Sequence, residues 1–203
     1  FEITGLDASL TESQVGLVTG NGSGGFSLSS DQNWGGTLTS PSGTGGYSVA
    51  TNGRTTLSGS GFQNSLPVLY LVNSNQAFII GTDTAVSFGF MTPQQSGFAL
   101  SGTYAGGSLP TVDPAVSNVV SIAIAETNAL NLTQDISSDN GLSLGQSSDT
   151  TAPSAGNPTR VVVTQSGNQT QILYLVSSTE FFALDAPSPA NGDTTARVDI
   201  FQQ

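Results

Sequence analysis

The chain has 203 residues, of which 14 are acidic and 3 are basic, and its net charge is −11. Such a surface repels nucleic acid and anionic lipid headgroups, because both bind through clusters of cationic side chains. We therefore expect no nucleic-acid partner. The sequence has no Cys, His or Lys, which excludes disulfides, thiolate or imidazole metal sites and hydrolases with a His base. We therefore also expect no enzyme activity and no cofactor.

Apolar residues alternate with polar ones along the chain, which is typical of strands with one face on a core and one in water. We predict nine strands in the first half, near residues 1–4, 14–19, 26–30, 36–39, 47–50, 54–58, 67–72, 77–80 and 87–91. In the second half we predict eight, near residues 98–104, 119–125, 129–136, 142–144, 160–164, 171–176, 181–184 and 197–201. Asn-Gly dipeptides starting at residues 21, 52, 140 and 191 mark tight turns between strands.

The two halves repeat one another. Residues 1–5 return as 98–102, residues 68–72 return as 172–176, and the Gln-Gln pair at 94–95 returns at 202–203. Several pairs keep an offset of 104 residues, namely Phe26 and Leu130, Leu28 and Leu132, Asp31 and Asp135, and Tyr70 and Tyr174. We therefore predict an all-β fold of two tandem antiparallel barrel or sandwich units, related by internal duplication, at residues 1–97 and 98–203.

Carboxylates are the one catalytic option in this composition, and Glu126, Asp135 and Asp139 form the densest group. A glycosidase needs two carboxyl groups about 5 to 10 Å apart beside a sugar-binding cleft. The alternative is that these acids are solvated residues at strand ends, and this is the interpretation that we favour. Residues 135–141 superficially resemble a calcium loop, but a hairpin turn explains the run better and we predict no metal site.

Two of the three arginines, Arg54 and Arg160, occupy equivalent places. We predict a structural role for them, either pairing with a buried carboxylate or stacking on an aromatic ring, and group them with Tyr70 and Tyr174 as scaffold. The alternative is recognition of an acidic ligand. The single tryptophan, Trp34, lies in a polar, Gly-rich setting. Three roles are equally compatible with this setting: contact with a sugar, covering the end of a barrel, and anchoring a neighbouring subunit.

The chain begins at Phe1 instead of Met, for which we expect a removed signal peptide. Its longest apolar runs, 68–72 and 77–80, fall far short of the ~20 residues of a membrane helix, so no membrane insertion is expected. Phe1 and Ile3 alternate with polar residues as in a strand, and this strand is predicted to complete its own unit or to be donated to a neighbour.

The motifs described above, together with Phe-x-Leu-Ser-Gly-Thr-Tyr at 98–104, Asn-Gly-Arg-Thr at 52–55 and the Leu-Tyr-Leu-Val strand, resemble tandem β repeats of surface proteins in acidobacteria. The proteins of that family are predicted to be secreted or lipid-anchored. The resemblance implies export and a surface location and no established activity. The second copy departs from the pattern, since Asn-Pro-Thr precedes Arg160 where Asn-Gly precedes Arg54.

We therefore expect a non-enzymatic extracellular structural protein, a cell-surface or filament-forming subunit that self-associates as a homo-oligomer or helical filament. Donation of the N-terminal strand, with Phe1 and Ile3 as subunit contacts, is one route of assembly. The alternative is a carbohydrate-binding or adhesive surface module that uses Trp34. A carboxylate glycosidase is a weaker third hypothesis.

Overall fold

A computed structural model describes residues 1–7, 10–62, 65–82, 86–97, 99–108, 118–126, 129–138, 141–154, 157–165, 168–186 and 196–203. In these ranges every regular element is a β-strand and there is no helix. The predicted all-β fold with two barrel-like units is confirmed. Phe98, Asp139 and the predicted turns at residues 140 and 191 lie at least partly outside the described residues.

The first sheet has nine strands. They are β1 (Glu2–Asp7), β2 (Leu10–Gly20), β3 (Gly25–Trp34), β4 (Thr37–Thr39), β5 (Ser42–Val49), β6 (Arg54–Gly59), β7 (Val68–Leu71), β8 (Ala77–Ile80) and β9 (Val86–Met91). Their order is β2-β1-β9-β8-β7-β6-β5-β3-β4, and β2 also pairs with β3. This extra ladder brings the ends of the strand order together and makes the unit barrel-like.

The second sheet is a closed barrel of eight strands in sequence order. They are β10 (Gly102–Ser108), β11 (Asn118–Glu126), β12 (Ala129–Ser138), β13 (Gly141–Ser154), β14 (Asn157–Gln165), β15 (Asn168–Ser177), β16 (Glu180–Asp185) and β17 (Val198–Gln202). Each strand pairs antiparallel with its neighbours, and β17 closes the ring on β10. Closure leaves no unpaired edge of the kind that aggregates.

Asn-Gly turns connect strands in the first unit where the sequence predicts them. Gly22 and Gly53 adopt positive φ angles of 75° and 81°, which glycine reaches without the steric cost of a side chain. The Asn21 Oδ1 accepts hydrogen bonds from the backbone N–H groups of Ser23 and Gly25. These local bonds fix the reversal between β2 and β3.

The ladders of the two units share their register. Four pairs of the first unit recur at equivalent places in the second: Val15–Asp31 as Val120–Asp135, Asn33–Leu38 as Ser137–Leu142, Arg54–Tyr70 as Arg160–Tyr174, and Tyr70–Phe78 as Tyr174–Phe182. Because register decides which face each side chain occupies, these residues point the same way in both barrels.

The first strands of the two units depart from this equivalence. Val15 pairs with Glu2, whereas its counterpart Val120 pairs with Gly107. Glu2 therefore takes the place of Gly107, and the sequence match of residues 1–5 with 98–102 is not a match in the ladder. The connection is the reason, since β2 begins three residues after β1 ends and β11 begins ten residues after β10 ends.

Three apolar clusters hold the fold together. One lies inside the first unit and contains Phe1, Phe26, Leu28 and Ile79. A second fills the closed barrel, where the rings of Phe181 and Phe201 stack with centroids 4.6 Å apart and Tyr104 packs edge-on against Phe181. The third lies between the two units.

Candidate functional site

The third cluster joins the outer surfaces of the two barrels, and we call it the barrel joint. Its residues are Val15, Leu38, Ile172, Tyr174, Val176, Phe182, Leu184, Val198 and Ile200. Strands β15 and β16 are apolar on both faces, one turned into the closed barrel and the other onto the first unit. A near-continuous apolar run such as 172–176 is the usual sign of a strand that is covered on both sides.

A buried carboxylate lies at the centre of the joint. Asp31, on β3 of the first unit, has no solvent exposure. The guanidinium of Arg160 on β14 donates to both of its oxygens, at 2.5 Å from Nε and 2.9 Å from Nη2. The Tyr174 hydroxyl donates to Oδ2 at 2.8 Å and the Ser40 hydroxyl donates to Oδ1 at 2.6 Å.

This arrangement meets the requirements of a charge in an apolar place. A bidentate arginine fork matches a carboxylate in geometry and charge, and the two hydroxyls occupy further lone pairs. The hydrogen bond to Asp31 raises the pKa of Arg160, and burial followed by the charge of Asp31 raises the pKa of Tyr174 above its usual range. Arg160 therefore stays charged and Tyr174 stays protonated.

Hydrogen bonds to backbone atoms surround the joint. Asn33 Nδ2 donates to the carbonyl of Asp185 at 3.0 Å, and the N–H of Ala196 donates to Thr11 Oγ1 at 2.7 Å. The Gln-Gln pair at the end of the first unit binds the second: Gln94 Nε2 donates to Leu175 O at 2.6 Å and the N–H of Gln95 donates to Val176 O at 2.8 Å.

Glu2 is a second buried carboxylate on the same side of the first unit. It pairs with Val15 across the β1–β2 ladder and is fully buried, and directly opposed residues share a face. Burial raises the pKa of Glu2 from 4.5 to about 8, against the opposing effects of the Phe1 ammonium and the Phe90 backbone N–H. The joint therefore holds one well-paired carboxylate and one that favours the protonated form.

A separate charged network lies in the closed barrel. Arg197 Nη2 lies 2.7 Å from Asp185 Oδ2, and its Nε lies 3.0 Å from Asp199 Oδ1. Burial raises the pKa of Asp199 to about 7, which Arg197 opposes and Asp185 reinforces. The ladder places Gly89 of the first unit where Asp199 stands in the second. This network is therefore specific to one barrel.

Several predicted site residues lie elsewhere. Arg54 and Tyr70 are neighbours on the β6–β7 ladder, as their counterparts are, but both are exposed. Within the described ranges Arg54 forms no ion pair with a carboxylate. The reason is that no second barrel covers this face of the first unit. Trp34 ends β3 with a half-exposed ring.

In the single chain, Phe1 and Ile3 lie inside the first unit, which is one of the two arrangements expected of this strand. Phe1 is buried in the first unit with its ring centroid 5.3 Å from that of Phe62, and Ile3 packs on the same cluster. Strand β1 pairs with β2 on one side and β9 on the other. Donation of this strand to a neighbour would therefore require both ladders to open.

The two candidate catalytic acids that the structure describes, Glu126 and Asp135, do not converge. Glu126 is opposite Ala129 at one end of β12, whereas Asp135 lies six residues further along that strand, a separation of about 20 Å at the usual rise per residue. That is beyond the spacing of glycosidase carboxyls. Among the described residues, no group of three or more acids could hold a metal ion.

A groove of about 490 Å³ opens at the mouth of the first unit beside the joint. Its walls include Phe1, Phe26, Tyr47 and Phe62 from the first unit, with Tyr174 from the second. Trp34 does not border it. The ring of Trp34, which we considered as a sugar contact, therefore does not line this groove.

Sequence reasoning missed most of the joint. It recognised Arg160 and Tyr174 as scaffold and Asp31 as part of the repeat, but it did not bring the three together. Val15, Leu38 and Glu2 were not singled out. One signal in the sequence could have indicated these outward residues. Asp31 and Leu38 both recur 104 residues later, as Asp135 and Leu142, although they lie on the faces of their strands that point away from the core.

Comparison with known proteins adds no assignment. No protein-family model matches the sequence, and no curated protein matches it. The described strands and turns also contain no helix with the length and apolar character needed to cross a bilayer.

The pairing of Asp31 yields a prediction with a matched control. Asp31→Ala leaves Arg160 and Tyr174 without their acceptor, so we expect the free energy of unfolding to fall by about 3 kcal/mol or more. Asp135→Ala, at the equivalent but exposed position, should change it by less than about 0.5 kcal/mol. Urea unfolding at low protein concentration measures both. Equal effects of the two substitutions would contradict the structural role of Asp31.

Glu2 predicts a pH dependence. Its folded pKa of about 8 lies above its ordinary value of 4.5, so the folded state holds a proton that the unfolded chain releases, and stability falls as pH rises between these values. Glu2→Gln removes this effect. We expect it to stabilise the protein on the order of 2 kcal/mol at pH 8 and little below pH 5. Thermal melts across this range test it, with the exposed Glu126→Gln as control; an identical pH profile for Glu2→Gln and the unsubstituted chain would refute it.

Proposed function

We propose that the chain is a non-enzymatic structural protein of the cell surface or extracellular space, a subunit that assembles through contacts between barrels. The observation that carries this proposal is an exposed apolar face on β7, β8 and β9 of the first unit. Its large exposed side chains are Tyr70, Val72, Phe78, Ile80 and Phe88.

This face is organised as a surface. The rings of Phe78 and Phe88 are stacked with centroids 6.2 Å apart, and Phe90 packs against both at 5.5 Å and 4.9 Å. The residues between them in sequence, such as Leu69 and Ile79, point inward and are buried. A contiguous apolar patch of this kind on a folded protein marks a contact with another macromolecule.

Charge and composition argue against general stickiness. A chain with net charge −11 and 8% charged residues has a polar surface that is mostly uncharged, and its net charge limits non-specific association. The apolar face, like the exposed Val120, Ile122, Ile124 and Leu142 of the second barrel, therefore departs from the rest of the surface. Specific assembly accounts for it better than general stickiness does.

Self-association should depend on concentration. We expect species larger than the 20.6 kDa chain to appear in sedimentation velocity as the protein is raised from about 1 μM to 1 mM, with elongated particles in electron micrographs. Because apolar burial drives the contact, higher salt should not disperse these species. A chain that stays monomeric over the whole range would refute the proposed function.

The second candidate function is carbohydrate binding, and the half-exposed ring of Trp34 is the observation that favours it. Aromatic rings at a protein surface offer an apolar face with a polar edge. A glycan array at millimolar calcium tests this function. We expect no signal that Trp34→Ala abolishes, and a hit lost in that variant would favour an adhesive module.

A further inference from the structure

Each barrel carries the same two outer faces. The tyrosine face of the second barrel consists of Arg160, Tyr174, Val176, Phe182 and Leu184, and in the first barrel the same places hold Arg54, Tyr70, Val72, Phe78 and Ile80. The aspartate face of the first barrel consists of Val15, Asp31 and Leu38, and in the second the same places hold Val120, Asp135 and Leu142. The barrel joint is the contact of one tyrosine face with one aspartate face.

The joint leaves one face of each kind uncovered. Tyr174 is 3% exposed in the joint, whereas its counterpart Tyr70 is 45% exposed. Val15 is fully buried, whereas its counterpart Val120 is 69% exposed, and Asp135 is exposed where Asp31 is buried. The chain therefore presents the tyrosine face of its first barrel and the aspartate face of its second to solvent.

These two uncovered faces are chemically complementary, since both are apolar and one carries Arg54 where the other carries Asp135. On the aspartate face of the second barrel, Ile122, Ile124 and Leu142 extend the apolar surface around Val120. The tyrosine face of the first barrel consists of aromatic and branched apolar side chains next to Arg54. Arg54 and Tyr70 are paired across a ladder in the same way as the two residues that bind Asp31. Asp135 is the carboxylate at the corresponding place on the other face.

We propose that the tyrosine face of one copy of this chain binds the aspartate face of a second copy, in the arrangement that the barrel joint already shows. Arg54 and Tyr70 of one copy then bind the Asp135 carboxylate of the next. This inference rests on the proposed function and names its partner and its contact. Because the two faces differ, the contact is heterologous, and repetition gives a ring if the rotation closes and a helical filament if it does not.

The contact between copies is simpler than the joint. Gly107 stands where Glu2 stands in the first unit, so no second carboxylate is buried there. Ser137 replaces Asn33, whose side chain binds Asp185 O across the joint. The contact between copies thus lacks the Asn33 hydrogen bond and the covalent link that the joint within one chain has, and we predict that it is reversible.

Two complementary variants test the contact. Phe78→Glu places a charge on the tyrosine face, and Val120→Glu places one on the aspartate face. Both positions are exposed in the single chain, so both variants should fold, and a cooperative thermal transition checks this. We expect each variant alone to be monomeric. An equimolar mixture should give a heterodimer and nothing larger, since one intact face of each kind remains.

A charge exchange tests the predicted ion pair. Arg54→Glu and Asp135→Arg should each weaken association by about thirtyfold or more, because a charge is then buried against a like charge. The double variant R54E/D135R should recover most of the affinity.

Val49→Glu is the matched control for the two face variants, Phe78→Glu and Val120→Glu. Val49 is exposed on β5 at the mouth of the first unit and belongs to neither face, so this variant should assemble normally.

The results separate the two proposals. If the unsubstituted chain assembles and both face variants assemble equally well, the head-to-tail contact is wrong and the structural function stands. Assembly that only Val49→Glu disrupts leads to the same conclusion. If the unsubstituted chain never assembles, the proposed function fails and the contact fails with it. Monomeric single variants, a mixed heterodimer and rescue by charge exchange together support the inference.

Discussion

A carboxylate buried between two barrels sets the geometry of this molecule. Asp31 has no access to water, and an unpaired charge in such a place costs several kcal/mol, so the barrels can meet only where its oxygens find donors. Arg160, Tyr174 and Ser40 provide those donors. The apolar cluster around them supplies the larger part of the stabilisation, because burial of hydrocarbon is favourable in many arrangements. The ion pair selects one arrangement among them.

The sequence was sufficient for the fold class and for most strand positions, because period-two alternation and Asn-Gly turns are local signals. It also located the recurring Tyr70 and Tyr174. It did not predict that these tyrosines differ in exposure, since that depends on which barrel covers which face. The long strand β13 (Gly141–Ser154) was predicted only at 142–144, because its Ser, Gly and Asp content is unfavourable for strands and only its two ladders hold it. The shifted register of β1 likewise follows from a connection length and not from its own residues.

The two barrels share residues on the outside and also core residues such as Leu28 and Leu132, but they differ at one buried charged network. The outward positions Arg54 and Arg160 are the same residue type, as are Asp31 and Asp135. Inside the closed barrel, Asp199 and Arg197 form a charged network for which the first barrel has glycine at the central place. An arginine and an aspartate therefore recur on the outer faces of both barrels, although of these four residues only Asp31 and Arg160 pair with one another in the described part of the chain.

The hydrogen bonds that surround the joint have a mechanical consequence. The two barrels of one chain are held by the Asp31 pair, by the Asn33 amide and by the Gln94-Gln95 segment, which is continuous with the polypeptide. In the filament proposed above, a pulling force would meet two kinds of connection in alternation: the joint within one chain, which the polypeptide also links, and the contact between copies, which it does not. A break would then fall between copies, and each fragment would consist of intact two-barrel chains whose end faces could bind again.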